Sequence, residues 1–283
     1  MKIQNAIKKV IKRIKIEHTY LYLAYKTKFV YEKRMAGGEL KEPPMKDYCE
    51  LAVVAFNNPK VIEYQIKTLS KFFSYPYRYT VFDNSTDDEK AKIIKHVCNN
   101  HQTGYIRLPK QEFLPKGMGS YSHGMACNYL FNHFFRGNNA KYFGLLDHDI
   151  FPVKQFDIAY YLEKQFFYGI KHGSYIWPGL WFMRMDYLND KDIDFRPSIR
   201  LRGDTGSRNG PILFKNIDFS KYILVNTEKR VFEGYNDLWG GGYEYMSCGW
   251  IHCWNASNYM NRNTIDSKMS KIFTILENYL YNE

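Results

Sequence analysis

Apolar residues recur along the chain with two different periods, and these periods predict its elements. In residues 2–16, Ile and Val recur at steps of three and four positions, which predicts an amphipathic helix with Lys and Arg on its other face. From residue 51 onward, short continuous apolar runs alternate with segments of helical periodicity. Continuous apolar runs are typical of buried parallel strands, because helices cover both faces of such a sheet. The alternation therefore predicts an α/β fold with a mixed, mainly parallel sheet flanked by helices.

The same periods give the individual elements. Strands are predicted at 51–56, 77–82, 105–108 and 142–146, with helices at 61–73, 87–98 and 119–135 between them. Beyond residue 150 we expect an interrupted strand at 174–185, a polar loop at 190–210, a strand at 222–225 and a helix at 257–280. Gly37-Gly38 and Pro43-Pro44 indicate a linker. Residues 1–46 are then an extension and residues 47–283 one domain, with halves at 47–150 and 151–283.

Charge changes this picture only at the N-terminus. Residues 1–34 hold ten basic and two acidic side chains, so they carry +8 of the net charge of +11. The nearly balanced remainder argues against a nucleic-acid partner, whereas a basic amphipathic segment suits an anionic lipid surface. Residues 2–34 are therefore a candidate for membrane contact. Docking of the same helix on the protein's own body or on a partner is the open alternative.

Cysteine usage and hydropathy bear on location. The five cysteines are scattered and lack a Cys-x-x-Cys spacing, which indicates neither a disulfide framework nor a zinc site and favours a reducing compartment. Lys and Arg interrupt the first residues too often for a signal peptide, and no apolar run is long enough to span a bilayer. We expect a cytoplasmic protein, at the inner face of the membrane if the N-terminal helix binds lipid.

Polar clusters follow three of the predicted strands at their carboxyl ends, where ligands of parallel α/β sheets bind. The most informative is Asp147-His148-Asp149, in which the two carboxylates project to one side of an extended segment. Close carboxylates repel each other unless a cation neutralises them. Mg²⁺ or Mn²⁺ would do so and would stabilise a diphosphate leaving group. A second Asp-x-Asp, Asp192-Ile193-Asp194, lies in a polar stretch and is expected to be solvated.

The ordered series of motifs resembles the GT-A glycosyltransferases, in particular family-2-like enzymes. The resemblance covers residues 50–150 well and 170–257 loosely. It is carried by Phe56-Asn57-Asn58-Pro59, Val81-Phe82-Asp83-Asn84-Ser85, the segment from Gly119 to Asn128, and Leu145-Leu146-Asp147-His148-Asp149. It implies a GT-A fold and sugar transfer from a nucleotide-diphosphate sugar, with a UDP-sugar favoured, to a glycan or lipid-linked acceptor. The cofactor would be Mn²⁺ or Mg²⁺.

The resemblance also implies roles for individual residues. Nucleotide-sugar contacts are implied for Phe56, Asn57, Asp83, Asn128, Asp147 and His148, and metal ligation for Asp147, Asp149 and His252. For His252, a core histidine bonded to a backbone carbonyl carries equal weight. Inverting transfer needs a carboxylate base, and the family's Glu-Asp pair is missing where it would be expected. Asp204 and Glu244 are the two candidates, and the inverting, hexosyltransferase-like outcome stays open with them.

Two other functions compete with sugar transfer. A metal-dependent nucleotidyltransferase also uses paired carboxylates, although the chain lacks the Gly-rich phosphate loop that such enzymes often place after the first strand. A non-catalytic basic protein that binds membrane or nucleic acid is the third candidate, and the nearly balanced charge beyond residue 34 argues against it.

Overall fold

The computed structural model describes residues 2–33, 37–111, 114, 118–198, 203–232, 242–253 and 262–281. In its first half, the elements are α1 (Lys2–Lys33), β1 (Gly37–Glu39), β2 (Cys49–Ala55), α2 (Pro59–Phe72), β3 (Tyr77–Asp83), α3 (Asp88–Asn100), β4 (Gly104–Arg107), α4 (Gly119–Leu130) and β5 (Tyr142–Asp147). A π-helical segment, Phe131–Phe135, continues α4.

The second half contains shorter elements. They are β6 (Ile150–Pro152), α5 (Ala159–Leu162), β7 (Phe167–His172), β8 (Tyr175–Arg184), α6 (Met185–Leu188), α7 (Asn209–Leu213), β9 (Thr227–Val231), β10 (Gly242–Met246), β11 (Trp250–His252) and α8 (Arg262–Tyr281).

A seven-stranded sheet in the order β1-β4-β3-β2-β5-β8-β7 forms the centre of the fold. The neighbours β4, β3, β2 and β5 are parallel, whereas β1 and β8 run antiparallel to them. Because β7 is antiparallel to β8, it shares the direction of the central strands. The expected α/β class with a mainly parallel sheet flanked by helices is therefore confirmed.

Both faces of this sheet are buried, as the continuous apolar runs predict. In β2, Ala52 and Val54 belong to a core that includes residues of α4, while Leu51 and Val53 belong to one that includes residues of α2 and α3. The helices begin where local signals place them. The Asn58 side chain caps α2 at the Val61 N–H, with Pro59 in its first turn, and the Asp87 carboxylate caps α3.

A second, four-stranded sheet lies beside the carboxyl end of β5, in the order β6-β11-β10-β9 with every pair antiparallel. β6 begins three residues after β5 ends, so the Asp147-His148-Asp149 turn joins the two sheets. The hydrophobic pattern does not predict β6, β7, β9, β10 and β11, and the segment expected to be a linker contains β1, which pairs with β4. Most of these strands are short, and β9 and β10 alternate in burial too weakly to stand out from loop.

The predicted strand at 222–225 is wrong, and a side chain explains why. Gln165 donates to the Ile223 carbonyl at 2.9 Å and accepts from the Ile223 N–H at 3.0 Å, so a side-chain amide replaces the strand partner. The interruption predicted within the strand at 174–185 does not break the strand itself. β8 is continuous, and only its pairing with β7 shifts, between Gly169 and Lys171.

Helix α1 is twice as long as the predicted segment 2–16. Its second half docks on the body through Leu23, Thr27 and Tyr31, which are 3%, 0% and 3% exposed. Among the described residues, no helix combines the length and the apolar character that crossing a bilayer requires. The five cysteines are free.

Candidate metal centre at the strand ends

The carboxyl ends of β2, β3 and β5 lie side by side, and backbone-to-side-chain bonds tie them together. The Phe56 N–H donates to His148 Nδ1 at 3.3 Å, which joins the end of β2 to the turn after β5. Burial lowers the pKa of His148, which favours the neutral ring that this acceptor role requires. His148 therefore holds the end of β2 to the motif, and its contact with a nucleotide stays a prediction.

Asn57 joins the end of β2 to the loop after β3. Its backbone is left-handed, with φ of 53°, a conformation that asparagine tolerates better than most residues. Its N–H donates to Ser85 Oγ at 2.8 Å, and its side-chain oxygen accepts from the N–H groups of Thr86 and Asp87 at 3.1 and 3.0 Å. Asn57 therefore positions the second loop, and its contact with a nucleotide stays a prediction.

Asp147, Asp149 and His252 each bring one ligand atom to within 4.8 Å of the others. Asp149 directly precedes β6 and His252 ends β11, and these strands pair antiparallel with Ile150 opposite His252. The Cys253 N–H donates to the Asp149 carbonyl at 2.9 Å, which extends the pairing to the motif. Residues 105 positions apart in sequence thus meet because the short second sheet closes over the end of β5.

His252 is oriented by a carboxylate. Glu244 lies directly opposite it on β10, and His252 Nδ1 is 3.0 Å from Glu244 Oε2. With Nδ1–H donating to Glu244, the lone pair of Nε2 faces Asp149 Oδ1, 3.7 Å away. The Trp177 ring packs against the imidazole at a centroid distance of 5.0 Å. A core histidine bonded to a backbone carbonyl does not describe this arrangement.

Two further residues belong to the site although the sequence does not predict them there. His123 on α4 points its Nε2 toward Asp147 Oδ1 at 3.6 Å. Buried Gln65 on α2 donates to the carbonyls of Asp147 and Ile150, at 2.8 Å each, and accepts from the Tyr79 hydroxyl. Gln65 therefore clamps the turn that carries the motif. His123 lacked metal-ligand spacing, and Gln65 lies on an otherwise apolar helix face, so neither residue gave a local signal.

The electrostatics of the group are unfavourable without a cation. Burial, together with the nearby charge of Asp149, raises the pKa of Asp147 to about 7. Burial lowers the pKa of His123, against the opposing charges of Asp204 and Asp149. For His252 burial acts in the same direction, but the Glu244 hydrogen bond and the Asp149 charge outweigh it and raise the pKa. Carboxylates crowded into a partly enclosed site would be relieved by a divalent ion.

The donor set fits Mn²⁺ or Mg²⁺. Two carboxylate oxygens and one imidazole nitrogen suit Mn²⁺ well and Mg²⁺ acceptably, and three protein ligands leave positions open for phosphate oxygens. The three ligand atoms lie within 4.8 Å of one another, so the side chains surround one space that an ion could occupy.

Asp204 lies close enough for its charge to affect both His123 and Asp147. Its loop is fixed by the Asp204 N–H, which donates to the Tyr175 hydroxyl at 3.2 Å, and by Thr205, whose N–H donates to Asp204 Oδ1 at 2.7 Å. Of the two predicted base candidates, Glu244 contacts His252, and Asp204 lies in the neighbourhood of His123 and Asp147.

Asp83 and Asn128 are engaged within the protein. Buried Asp83 accepts from the Ser85 N–H at 2.9 Å and from the Tyr105 hydroxyl at 2.8 Å. Asn128 donates to Asp194 Oδ1 at 3.0 Å and accepts from the Phe195 N–H at 2.7 Å. Both hold neighbouring loops in place, and their nucleotide contacts stay predictions.

The second Asp-x-Asp is not simply solvated. Asp192 is exposed, but Asp194 pairs with Arg196 at 2.6 Å, and this partner together with Asn128 outweighs burial and lowers the carboxyl pKa. Arg200 and Arg202 of the same loop, and Trp239 and Trp254, lie outside the described residues.

No protein-family model and no curated protein matches the chain. Among solved structures, it is similar to the mannosyltransferase PcManGT from Pyrobaculum calidifontis in complex with GDP-Man and Mn²⁺, with a TM-score of 0.37 and 11% identity over 62% of this chain and 56% of that one. It is also similar to S. aureus TarS, with a TM-score of 0.39 and 16% identity over 52% of this chain and 30% of that one. A third similar structure is glucosyl-3-phosphoglycerate synthase from Mycobacterium tuberculosis, with a TM-score of 0.34 and 12% identity over 50% of this chain and 58% of that one.

These matches span between about a third and somewhat more than half of the other chains' lengths. With TM-scores of 0.39 and below, the likenesses are too weak to indicate what the chain does.

Proposed function

We propose that the chain transfers a sugar from a nucleotide-diphosphate sugar in a reaction that depends on a divalent metal. The observation that carries the proposal is the group of Asp147, Asp149 and His252 at the carboxyl edge of a parallel sheet. That edge is where nucleotide ligands bind in such folds, and the group has the ligand types that suit a diphosphate-bound ion.

Asp147, Asp149 and His252 would hold Mn²⁺ or Mg²⁺, and the ion would neutralise the charge that develops on the leaving diphosphate. The chain's own residues prepare this site. Gln65 fixes the backbone of the motif, and Glu244 fixes the ring of His252.

Of the two candidate bases, we assign proton acceptance to Asp204. Glu244 is already bonded to His252, and a carboxylate that orients a metal ligand is poorly free to take a proton from an acceptor hydroxyl. A UDP-sugar as donor and a glycan or lipid-linked molecule as acceptor are the predictions that we carry forward from the sequence.

Donor hydrolysis tests the proposal. Release of nucleoside diphosphate from UDP- and GDP-sugars is measured with Mn²⁺ and with EDTA, for the wild type, Asp149→Asn and the control Asp192→Asn. Asp192 is the exposed first residue of the other Asp-x-Asp. We expect metal-dependent release that Asp149→Asn reduces by about a hundredfold or more and Asp192→Asn leaves unchanged.

Circular dichroism in EDTA establishes that Asp149→Asn is folded. Unchanged hydrolysis in the folded Asp149→Asn protein would contradict the proposal. Release of pyrophosphate from UTP or GTP in the presence of a sugar 1-phosphate, without release of nucleoside diphosphate from the nucleotide sugars, would support the nucleotidyltransferase alternative.

A further inference from the structure

Helix α1 presents two different faces, and only one of them is covered by the body. Leu23, Thr27 and Tyr31 are buried and recur every four residues, so they form one face. Leu23 packs in a cluster with Tyr121 and Met125 of α4. The Tyr31 hydroxyl accepts from Gln111 Nε2 at 2.6 Å. This face holds the helix in a fixed orientation on the protein.

An apolar stripe runs along the outward side of the same helix. It consists of the exposed residues Ile7, Val10, Ile11, Ile14, Leu21 and Tyr25, which are between 48% and 72% exposed. At about 100° per residue, the centre of this stripe lies roughly 150° around the helix axis from the docked face. The docked face therefore turns the stripe away from the body rather than toward it.

Basic side chains accompany the stripe. Lys8, Lys12 and Lys15 are exposed in the same turns, and they belong to a segment that carries +8 over residues 1–34. A helix with an apolar stripe and a basic remainder has the form that lies in the headgroup region of an anionic bilayer. A second copy of this chain fits less well, because pairing two such stripes would bring like charges together.

We propose that the outward face of α1, residues 4–25, binds an anionic lipid surface with its apolar stripe inserted into the interface. Helix α4 separates this contact from the candidate metal ligands. Tyr121 packs in the cluster with α1, whereas His123, two residues later and therefore on nearly the opposite side of α4, lies 3.6 Å from Asp147. The membrane contact therefore does not depend on the proposed function.

Vesicle co-sedimentation of the full chain tests the proposal. The probes are vesicles of phosphatidylcholine alone and of phosphatidylcholine mixed with phosphatidylglycerol. The stripe variant is Ile7→Ser/Ile11→Ser/Ile14→Ser. The matched control is Ile93→Ser/Ile212→Ser/Ile223→Ser, at isoleucines that are also exposed but lie elsewhere. A charge variant, Lys8→Glu/Lys12→Glu/Lys15→Glu, tests the electrostatic part.

We expect the wild type and the matched control to bind the anionic vesicles and to bind neutral ones weakly. The stripe variant should bind the anionic vesicles about tenfold more weakly than the wild type. The charge variant should bind them about a hundredfold more weakly. Because the altered residues are exposed, the melting temperature should not change.

Equal binding to neutral vesicles, or full binding by the stripe variant, would overturn the proposal. So would a wild-type dimer in light scattering that the stripe variant abolishes while neither protein binds vesicles, because the stripe would then be a contact between copies. Donor hydrolysis without vesicles is measured in parallel. Its absence in the wild type would overturn the proposed function and leave the vesicle result standing.

Discussion

Replacement of Asp147 by asparagine should make the metal-free protein more stable. Asparagine has nearly the same shape as aspartate but cannot ionise, so the substitution removes a charge and little else. In the folded protein that charge is energetically unfavourable, because burial and the neighbouring Asp149 raise the pKa of Asp147 to about 7. The variant keeps the packing and loses the repulsion.

The size of the gain follows from the pKa. The difference between about 7 and the ordinary value of 3.8 corresponds to about 4 kcal/mol, at about 1.4 kcal/mol per pKa unit. That is an upper limit, because the Asp147 side chain is 22% exposed and water screens part of the interaction. We expect Asp147→Asn to raise the free energy of unfolding by about 1–3 kcal/mol at pH 8, or the melting temperature by roughly 3–8 °C.

The sign of the pH dependence is fixed by the direction of the shift. Below about pH 4, Asp147 is protonated in the folded and the unfolded protein, so the substitution does not change the free energy of unfolding. Between about pH 4 and 7 the unfolded chain ionises while the folded protein keeps its proton, and the wild type loses stability relative to the variant. Above pH 7 the difference in the free energy of unfolding between the variant and the wild type reaches its full size.

Thermal unfolding from pH 4 to 8, in EDTA and in Mn²⁺, measures both halves of the prediction. In EDTA the variant should be the more stable protein at pH 8, whereas in Mn²⁺ the wild type should gain stability and the variant much less, because it has lost a ligand. Asp192→Asn is the control and should follow the wild type throughout. A variant that is no more stable than the wild type in EDTA at pH 8, or equally stabilised at every pH, would refute the reasoning.

Three further substitutions test how the site is held. Glu244→Gln should weaken Mn²⁺ binding by about 10- to 100-fold in titration calorimetry, because it loosens His252, whereas exposed Glu228→Gln should not. Gln65→Met should lower the free energy of unfolding by about 2–4 kcal/mol in urea denaturation, since two buried carbonyls lose their donor. An unchanged urea midpoint would contradict the role of Gln65 in holding the turn. Gly124→Ala should destabilise the protein by about 1–3 kcal/mol in the same assay, because its Cβ would lie 2.5 Å from a backbone oxygen of the facing loop; Gly119→Ala, with open space, is its control.

The sheet and the motif were predictable because their signals are local. A strand buried on both faces is largely apolar, so residues 51–55 of β2 and 142–146 of β5 stand out as apolar runs, and β3 does so apart from Arg78 and Thr80. The polar residues that end these strands stand out against the runs. The parallel order then follows from the helices between the strands, since such crossovers bring successive carboxyl ends to one edge. Asp147 and Asp149 could be chosen from sequence on this basis.

The partners of the motif were harder to predict because they depend on packing between distant segments. Periodicity shows which face of α2 is apolar, but it does not show that Gln65 on that face meets the Asp147 carbonyl, 82 residues away. The same holds for His123, whose position depends on how α4 lies on the sheet. Glu244 is a candidate base from the sequence, and only the pairing of β10 with β11 reveals that it faces His252.

The length of α1 illustrates a further limit of periodicity. The outward apolar stripe extends from Ile7 to Tyr25, and from Leu23 onward a buried face on another side is added, so no single apolar face describes the whole helix. The predicted helix covers only the segment in which one apolar face is present. The change of face is itself informative, because a helix that only docked would need one apolar side, and this helix has two. The second side needs a partner other than the body, and the basic residues around it favour an anionic surface.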